Sequence, residues 1–395
     1  MDSRQILKLT DKYVATTYAR FPVALVRGKG ARVWDADGKE YLDFVGGIAV
    51  MSLGHSHPAV VRAIQQQAKR LLHVSNLYYT APQSELAREL CRHSFADRVF
   101  FCNSGAEANE AAIKLARRHG AAWLGGRYEI LSTHNSFHGR TLATLTATGQ
   151  EKVRAGYDPL PQGFRQVPYN DLAAMEAAID EKTVAVLVEP IQGEGGVVVA
   201  DENYLRGLRE LCDRHGLLLI FDEVQVGMGR TGKLFAYEHY GVEPDIMTLA
   251  KALGGGLPLG AMLAKEKVAR SFVPGSHAST FGGNPLVCSA GLAVLRTLLQ
   301  GGALKNCARM GRLLLKGLKG LKGRFSWIRE VRGKGLILGM ELERDGSKIV
   351  VDCLQAGLLI NCTAQNVLRL LPPLTSGRKE IDRGLAILEK VLSRQ

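Results

Sequence analysis

A chain of 395 residues with 46% hydrophobic and 23% charged side chains is ordinary globular material. It is long enough for two or three domains, or for one large α/β body with an appendage. Disorder as the main state is excluded, as is a membrane span, since no run approaches the roughly 18 uninterrupted apolar residues that a spanning helix needs.

The opening MDSRQILKLTDKY carries charges at Asp2, Arg4, Lys8, Asp11 and Lys12, so it is a helical start and no signal-peptide core. Short strands follow, with a hairpin signal at Asp37-Gly38 inside ARVWDADGKEYLDF. After the loop GHSHP, AVVRAIQQQAKRLL is an amphipathic helix. From about residue 83 to 275, helices alternate with apolar strand segments at 98–103, 128–133, 184–190, 217–224, 245–250 and 260–264. Continuous apolar strands separated by helices predict an α/β fold with a mostly parallel sheet covered on both faces. In such sheets the site lies at the carboxyl ends of the strands. After Asn284-Pro285 a long apolar helix begins, and the remainder mixes the strand GLILGMELE with helices. The expected organisation is an N-terminal segment, 1–60, packing with a small domain. A large α/β domain covers 61–275, and a small α+β domain covers 276–395.

Charge and cysteine usage narrow the partners. The net charge of +13 raises nucleic acid as a partner, and seven cations without an acid lie between Lys305 and Arg324. That stripe is either a solvated amphipathic face or a weak polyanion patch, and it lacks interleaved aromatics for stacking on bases. The seven cysteines contain no C-x-x-C pair. Neither a disulfide framework nor a zinc ribbon is indicated, and a reducing cytoplasm is expected.

Three strand ends carry unusual polar residues. Ser104-Gly105-Ala106 opens a helix, either as a phosphate cradle or as an ordinary capping box with Glu107. Asp222 and Glu223 end an apolar run, where an acid can bind a metal, act as a base, pair with a cation or cap a helix. Lys251 stands at a strand end before Gly254, Gly255 and Gly256, either snorkelling or desolvated as a Schiff-base nucleophile. Together a phosphate cradle, an acid and a strand-end lysine are what pyridoxal phosphate requires. Gly227 to Gly232 matches G-x-G-x-x-G, and Lys233 extends it towards a P-loop. Leu234 follows, however, where a hydroxyl for magnesium would be needed, and two acids sit just upstream. His55 with His57, and His134 with His138, have metal-like spacing, but H-E-x-x-H is absent and no metal is expected.

FCNSGAEANE, NSFHGRT, VEPIQGEGG, FDEVQVGMGRTG, TLAKALGGGLPLGA, STFGGNPL and VLRLLPPL together resemble the class III aminotransferases of the fold-type-I pyridoxal-phosphate superfamily. The resemblance runs from PVALVRGKG to LPPL, and it implies the following roles. Lys251 is the Schiff-base lysine and proton shuttle, and Asp222 is the partner of the pyridine nitrogen. Glu223 is grouped with the cofactor residues, Val224 lies beneath the ring, Phe137 covers the other face, and Gln225 is near the ring hydroxyl. Ser104, Gly105 and Ala106 form the phosphate cup. Thr280 is a phosphate ligand given to the neighbouring subunit, which implies a homodimer with shared active sites. Ser279 and Tyr18 contact substrate, and Arg140 holds a carboxylate. Arg369 is a second arginine that Glu194 masks until glutamate arrives. Ile48 stands where the ornithine δ-aminotransferase pattern has a tyrosine, which favours an acylated amine.

The implied activity is transfer of the δ-amino group of N2-acetyl-L-ornithine to 2-oxoglutarate, in arginine biosynthesis. Succinylornithine, ornithine and acetyl-lysine-type donors are alternatives within the class. A cofactor-independent nucleic-acid binder using the 305–324 stripe is the alternative outside it. The expected partners are small molecules and a second copy of the chain, with no nucleic acid and no membrane.

Overall fold

The computed structural model describes residues 1–395. Its centre is a seven-stranded sheet. In spatial order the strands are Arg98–Cys102, Gly260–Ala264, Ile246–Leu249, Leu218–Asp222, Thr183–Val188, Glu129–Thr133 and Phe164–Val167. Only Gly260–Ala264 runs against its neighbours. Every residue of Thr183–Val188, Leu218–Asp222 and Ile246–Leu249 is buried, which is why these strands are nearly continuous apolar runs. Full burial of one Val, Leu or Ile side chain stabilises by about 1.5–3 kcal/mol, so the middle of the sheet is its firmest part.

Helix Gly105–Trp123 crosses the sheet on Ala108, Ala111, Ala112, Leu115 and Ala116, all buried. Mostly small side chains there let the helix axis approach the strands closely. The parallel strands end together on one edge of the sheet, with Asp222 paired opposite Thr248. That shared edge gathers the polar residues that the sequence places after apolar runs.

Two smaller sheets flank this body. Ile328–Lys334, Ile337–Leu342, Val367–Leu370 and Asn361–Thr363 form an antiparallel sheet, packed by helices Ala303–Lys322 and Ser347–Gln355, with Arg378–Leu392 lying against both helices. Near the N-terminus, Arg32–Asp35 and Glu40–Asp43 form the hairpin expected at Asp37-Gly38, with Gly38 at φ 89°. Leu358–Leu359 from the C-terminal part adds to it in parallel, so the two chain ends share one sheet. The apolar helix Pro285–Gln300 packs on helices Pro58–Ala68 and Ala81–Arg92. On helix Ala303–Lys322, Leu314, Leu318 and Leu321 are buried, while Lys305, Arg309, Arg312, Lys316, Lys319 and Lys322 are exposed on the other face. No single helix is long and apolar enough to cross a membrane.

Candidate active site

A cavity of about 490 Å³ opens at the carboxyl edge of the large sheet. Ten of the residues singled out in the sequence line it: Ser104, Gly105, Ala106, Phe137, Arg140, Glu194, Asp222, Val224, Gln225 and Lys251. They come from five separate stretches of chain, brought together because parallel strands end side by side.

One end of the cavity is the start of helix Gly105–Trp123. Ser104 caps it in extended backbone, accepting from Glu107 N at 3.2 Å and donating to Glu107 Oε2 at 3.1 Å. The capping reading of this serine is therefore realised. It leaves the N–H groups of Gly105 and Ala106 without protein partners, on the cavity wall at the positive end of a 19-residue helix. A Cβ on Gly105 would sit 2.7 Å from Val224 Cγ1, so only glycine lets the helix start come this close to the cavity floor.

Asp222 is buried on the cavity wall and heavily oriented. Its Oδ2 accepts from Asn109 Nδ2 at 2.7 Å and lies 2.8 Å from His138 Nδ1, and its Oδ1 accepts from Val224 N at 3.0 Å. Asn109 is fixed in turn by Thr248 Oγ1, which donates to its Oδ1 at 2.7 Å. Glu189, also on the wall, accepts from Phe137 N at 2.9 Å and Gly193 N at 3.1 Å. Burial pushes the Glu189 carboxyl up, and Asp222 adds to that.

Lys251 follows strand Ile246–Leu249 with φ at 45°, the left-handed region that side chains with a Cβ avoid at a cost of about 1–2 kcal/mol. Such strain persists where surrounding contacts over-determine the backbone. Burial lowers the Lys251 ammonium below the ordinary lysine range. Glu194, Asp222 and Glu189 pull it back up, and Arg369 pushes it further down.

Arg369 lies just behind the cavity, fully buried. Its Nη1 donates to Glu194 Oε1 at 2.6 Å and to Gln225 Oε1 at 2.9 Å, and its Nε donates to Asn361 Oδ1 at 3.2 Å. Its Nη2 is buried with no partner, a charged donor held in reserve. Burial pushes the Glu194 carboxyl up, but Arg369 and Lys251 outweigh it and hold that group below the usual carboxylate range. Arg140 stands at the exposed mouth, its guanidinium 5.5 Å from the centroid of the Phe137 ring.

Besides Arg369, five sequence-derived residues are not on the cavity wall. Glu223 turns the other way, where both its oxygens accept backbone N–H groups, from Ala236 at 2.7 Å and Tyr237 at 2.8 Å. Successive residues of a strand end face opposite sides, so Asp222 and Glu223 cannot both look into one cavity. Glu223 therefore departs from its grouping with the cofactor residues. Ser279 touches the rim, with Asn103 Nδ2 donating to its Oγ at 3.3 Å. Thr280 is exposed and Tyr18 is 72% exposed, both off the wall. Ile48 sits in a turn, Gly46 to Ala49, whose four residues all have φ between 56° and 65°.

Asn109, His138, Glu189 and Thr248 are the residues that sequence reasoning missed. Glu189 carried a signal, an acid closing the apolar run VAVLV as Asp222 closes its own. In sequence His138 reads as half of a metal-like pair with His134, whereas its partner in the fold is Asp222.

The residues fit pyridoxal phosphate. Two unpartnered N–H groups at a helix start suit its phosphate. The oriented Asp222 suits a protonated ring nitrogen, Val224 and Phe137 suit its two faces, and the buried Lys251 suits its aldehyde.

The aminotransferase class-III family model matches residues 13–392. The chain is 55% identical to the acetylornithine aminotransferase of Caldanaerobacter subterraneus, over 97% of this chain and 98% of that one. It is 52% identical to the acetylornithine aminotransferase of Methanocaldococcus jannaschii, over 100% and 99%. The fold matches a crystal structure of ornithine aminotransferase from Toxoplasma gondii, with partial occupancy of pyridoxal phosphate at its active site. The TM-score is 0.96 at 34% identity, covering 99% of this chain and 94% of that one. A match over nearly the whole length, on a cavity shaped for that cofactor, shows that the chain belongs to the class-III aminotransferases and takes pyridoxal phosphate.

Proposed function

We propose that the protein moves the δ-amino group of N2-acetyl-L-ornithine to 2-oxoglutarate, giving N-acetyl-L-glutamate 5-semialdehyde and L-glutamate, a step of arginine biosynthesis. The observation that carries this reading is the buried Arg369–Glu194 pair, 2.6 Å apart, with Glu194 and Lys251 on one cavity wall. The names of the relatives at 52–55% identity support the donor.

Pyridoxal phosphate, when bound, supplies the electron sink for negative charge developing at the reacting carbon. This chain's residues do the rest. Gly105 and Ala106 bind the phosphate through backbone N–H groups, with Ser104 shaping the cup. Asp222, held by Asn109 and His138, would receive the ring nitrogen on its oriented carboxyl group. Val224 and Phe137 would hold the two faces of the ring, and Gln225, already bonded to Glu194 and Arg369, would stand near its hydroxyl. Lys251 Nζ holds the aldehyde end and moves the proton at the reacting carbon. Its lowered proton affinity suits it to act as a base.

Substrate selection follows from charge. Arg140 binds the distal carboxylate of either substrate through its planar fork. The δ-carbon of acetylornithine bears no carboxylate, so Arg369 stays neutralised by Glu194 in that half of the cycle. Glutamate brings an α-carboxylate to the reacting carbon, displaces Glu194 and takes Arg369. Ile48 offers no hydroxyl to a free α-amino group, which favours the acylated amine. Ser279 at the rim and Tyr18, which lies off the wall of this cavity, are assigned to the carboxylate end, and Thr280 to the phosphate site of a second copy in a homodimer. Seven free thiols fit a reducing cytoplasm.

The test is a steady-state comparison of N2-acetylornithine, ornithine and succinylornithine with 2-oxoglutarate as acceptor. The highest kcat/KM is expected for N2-acetylornithine. A tenfold advantage for either competitor, about 1.4 kcal/mol in transition-state binding, would reassign the substrate.

A further inference from the structure

A second cavity, also about 490 Å³, lies beside the first and is lined almost wholly by polar residues. Glu194 is the only residue on the walls of both. Its Oε1 is engaged by Arg369 and Gln225, while its Oε2 has no partner and the side chain is 26% exposed. The carboxylate thus stands between a buried arginine and an open polar space.

The main chain at this point is pinned. Thr363 Oγ1 donates to Glu194 O. A Cβ on Gly193 would fall 2.1 Å from Gln225 Oε1, and one on Gly195 would fall 2.7 Å from Asn135 O. Any displacement of the Glu194 carboxylate is therefore a side-chain rotation. When a substrate carboxylate takes Arg369, two anions cannot share the first cavity without a large repulsive and desolvation cost. The second cavity offers the alternative. Besides Glu194 itself, its wall carries two cations, Lys152 and Arg154, and one acid, Glu151. Arg154 already donates to Gln166 Oε1 at 2.9 Å, whereas exposed Lys152 makes neither a hydrogen bond nor an ion pair.

We propose that the second cavity receives the Glu194 carboxylate during the glutamate half-reaction, with Lys152 as the cation that meets it. The inference rests on the two-arginine reading above and assigns the specificity device a second resting place. Lys152 is then a specificity-determining residue that touches no substrate. Ala364, with φ at 49°, lines the same cavity.

The experiment uses holoenzyme in three forms: wild type, Lys152→Met and Ala364→Leu. Both changed side chains are exposed and outside the proposed catalytic set. Single-turnover rates, followed by cofactor absorbance, are measured with L-glutamate and with N2-acetyl-L-ornithine. The glutamate rate should fall about tenfold in Lys152→Met and further in Ala364→Leu, with acetylornithine unchanged. Crystals of wild-type holoenzyme with 2-methyl-L-glutamate, which has no α-proton to lose, should show Glu194 in the second cavity beside Lys152. Equal behaviour of both substrates in both variants, or Glu194 resting elsewhere while the analogue holds Arg369, overturns the proposal. Arg369→Ala run in parallel separates the levels. If it slows glutamate selectively and the cavity variants do not, only the receiving site fails. If it slows both substrates alike, the two-arginine reading fails, and the receiving site with it.

Discussion

His138 Nδ1 lies 2.8 Å from Asp222 Oδ2, on the same oxygen that accepts from Asn109 Nδ2. The second carboxylate oxygen takes Val224 N, so both lone-pair sides of Asp222 are oriented before any cofactor arrives. Asp222→Asn removes the charge and sets an amide N–H₂ or carbonyl against partners arranged for a carboxylate. A folded protein that still binds pyridoxal phosphate but turns over at least a hundredfold slower is expected. Charge-assisted hydrogen bonds contribute about 1.5–3 kcal/mol each, and loss of the electron sink adds to that. Absorbance of the bound cofactor together with single-turnover rates checks this. Wild-type rates would remove Asp222 from the chemistry.

Lys251 is the lysine on the cavity wall. Borohydride treatment of the holoenzyme should fix the phosphopyridoxyl group to Lys251 alone, read by peptide mass spectrometry. Lys251→Ala should lose activity by several orders of magnitude, since one residue both anchors the aldehyde and moves the proton. Label on another lysine would contradict the assignment.

The contact between helix start and cavity floor gives a steric prediction. An alanine at Gly105 would place its Cβ 2.7 Å from Val224 Cγ1, and one of the two must retreat. Overpacking of this kind costs about 1–3 kcal/mol, or five- to a hundredfold in affinity. Gly105→Ala should release pyridoxal phosphate more readily in equilibrium dialysis while keeping its secondary structure. Unchanged retention would mean that the phosphate does not sit on this helix start.

The charges around Lys251 give a pH prediction with opposite signs. Burial lowers its proton affinity most, Glu194 raises it and Arg369 lowers it. Capture of pyridoxal phosphate by apoenzyme needs the neutral amine, so its rate rises with pH through the Lys251 pKa. Glu194→Gln removes a raising charge and should move that midpoint to lower pH. Arg369→Gln removes a lowering charge and should move it to higher pH. Stopped-flow capture rates across pH check the order, and shifts in the same direction would contradict it.

The fold was legible because its central strands are buried on both faces and so read as apolar runs. Phe164–Val167, at the sheet edge, is only partly buried and reads as FRQV, which no apolar run betrays. The site was legible where chemistry-bearing residues follow those runs, at Ser104, Asp222 and Lys251. It was illegible where the partner arrives from another element. Asn109 reads as one polar residue on an alanine-rich helix, and only the approach of Thr248 and Asp222 explains its burial. Glu223 misleads for the opposite reason, because adjacency in sequence does not survive the alternation of side chains. Arg230 was hidden inside a glycine-rich decoy. It is fully buried with no acid near it, its Nη1 donating to Leu336 O and Pro372 O and its Nη2 to Ser52 Oγ.

The central claim is that one pocket serves two unlike substrates by exposing Arg369 only to glutamate. Its most direct test is the single-turnover rate of Arg369→Ala holoenzyme with L-glutamate and with N2-acetyl-L-ornithine, each against wild type. Losing a buried charge-assisted contact to the α-carboxylate, worth about 1.5–3 kcal/mol, should slow the glutamate reaction roughly ten- to a few-hundredfold and leave acetylornithine within a few fold. Equal slowing of both half-reactions would contradict the account and leave Arg369 a structural residue behind the cavity.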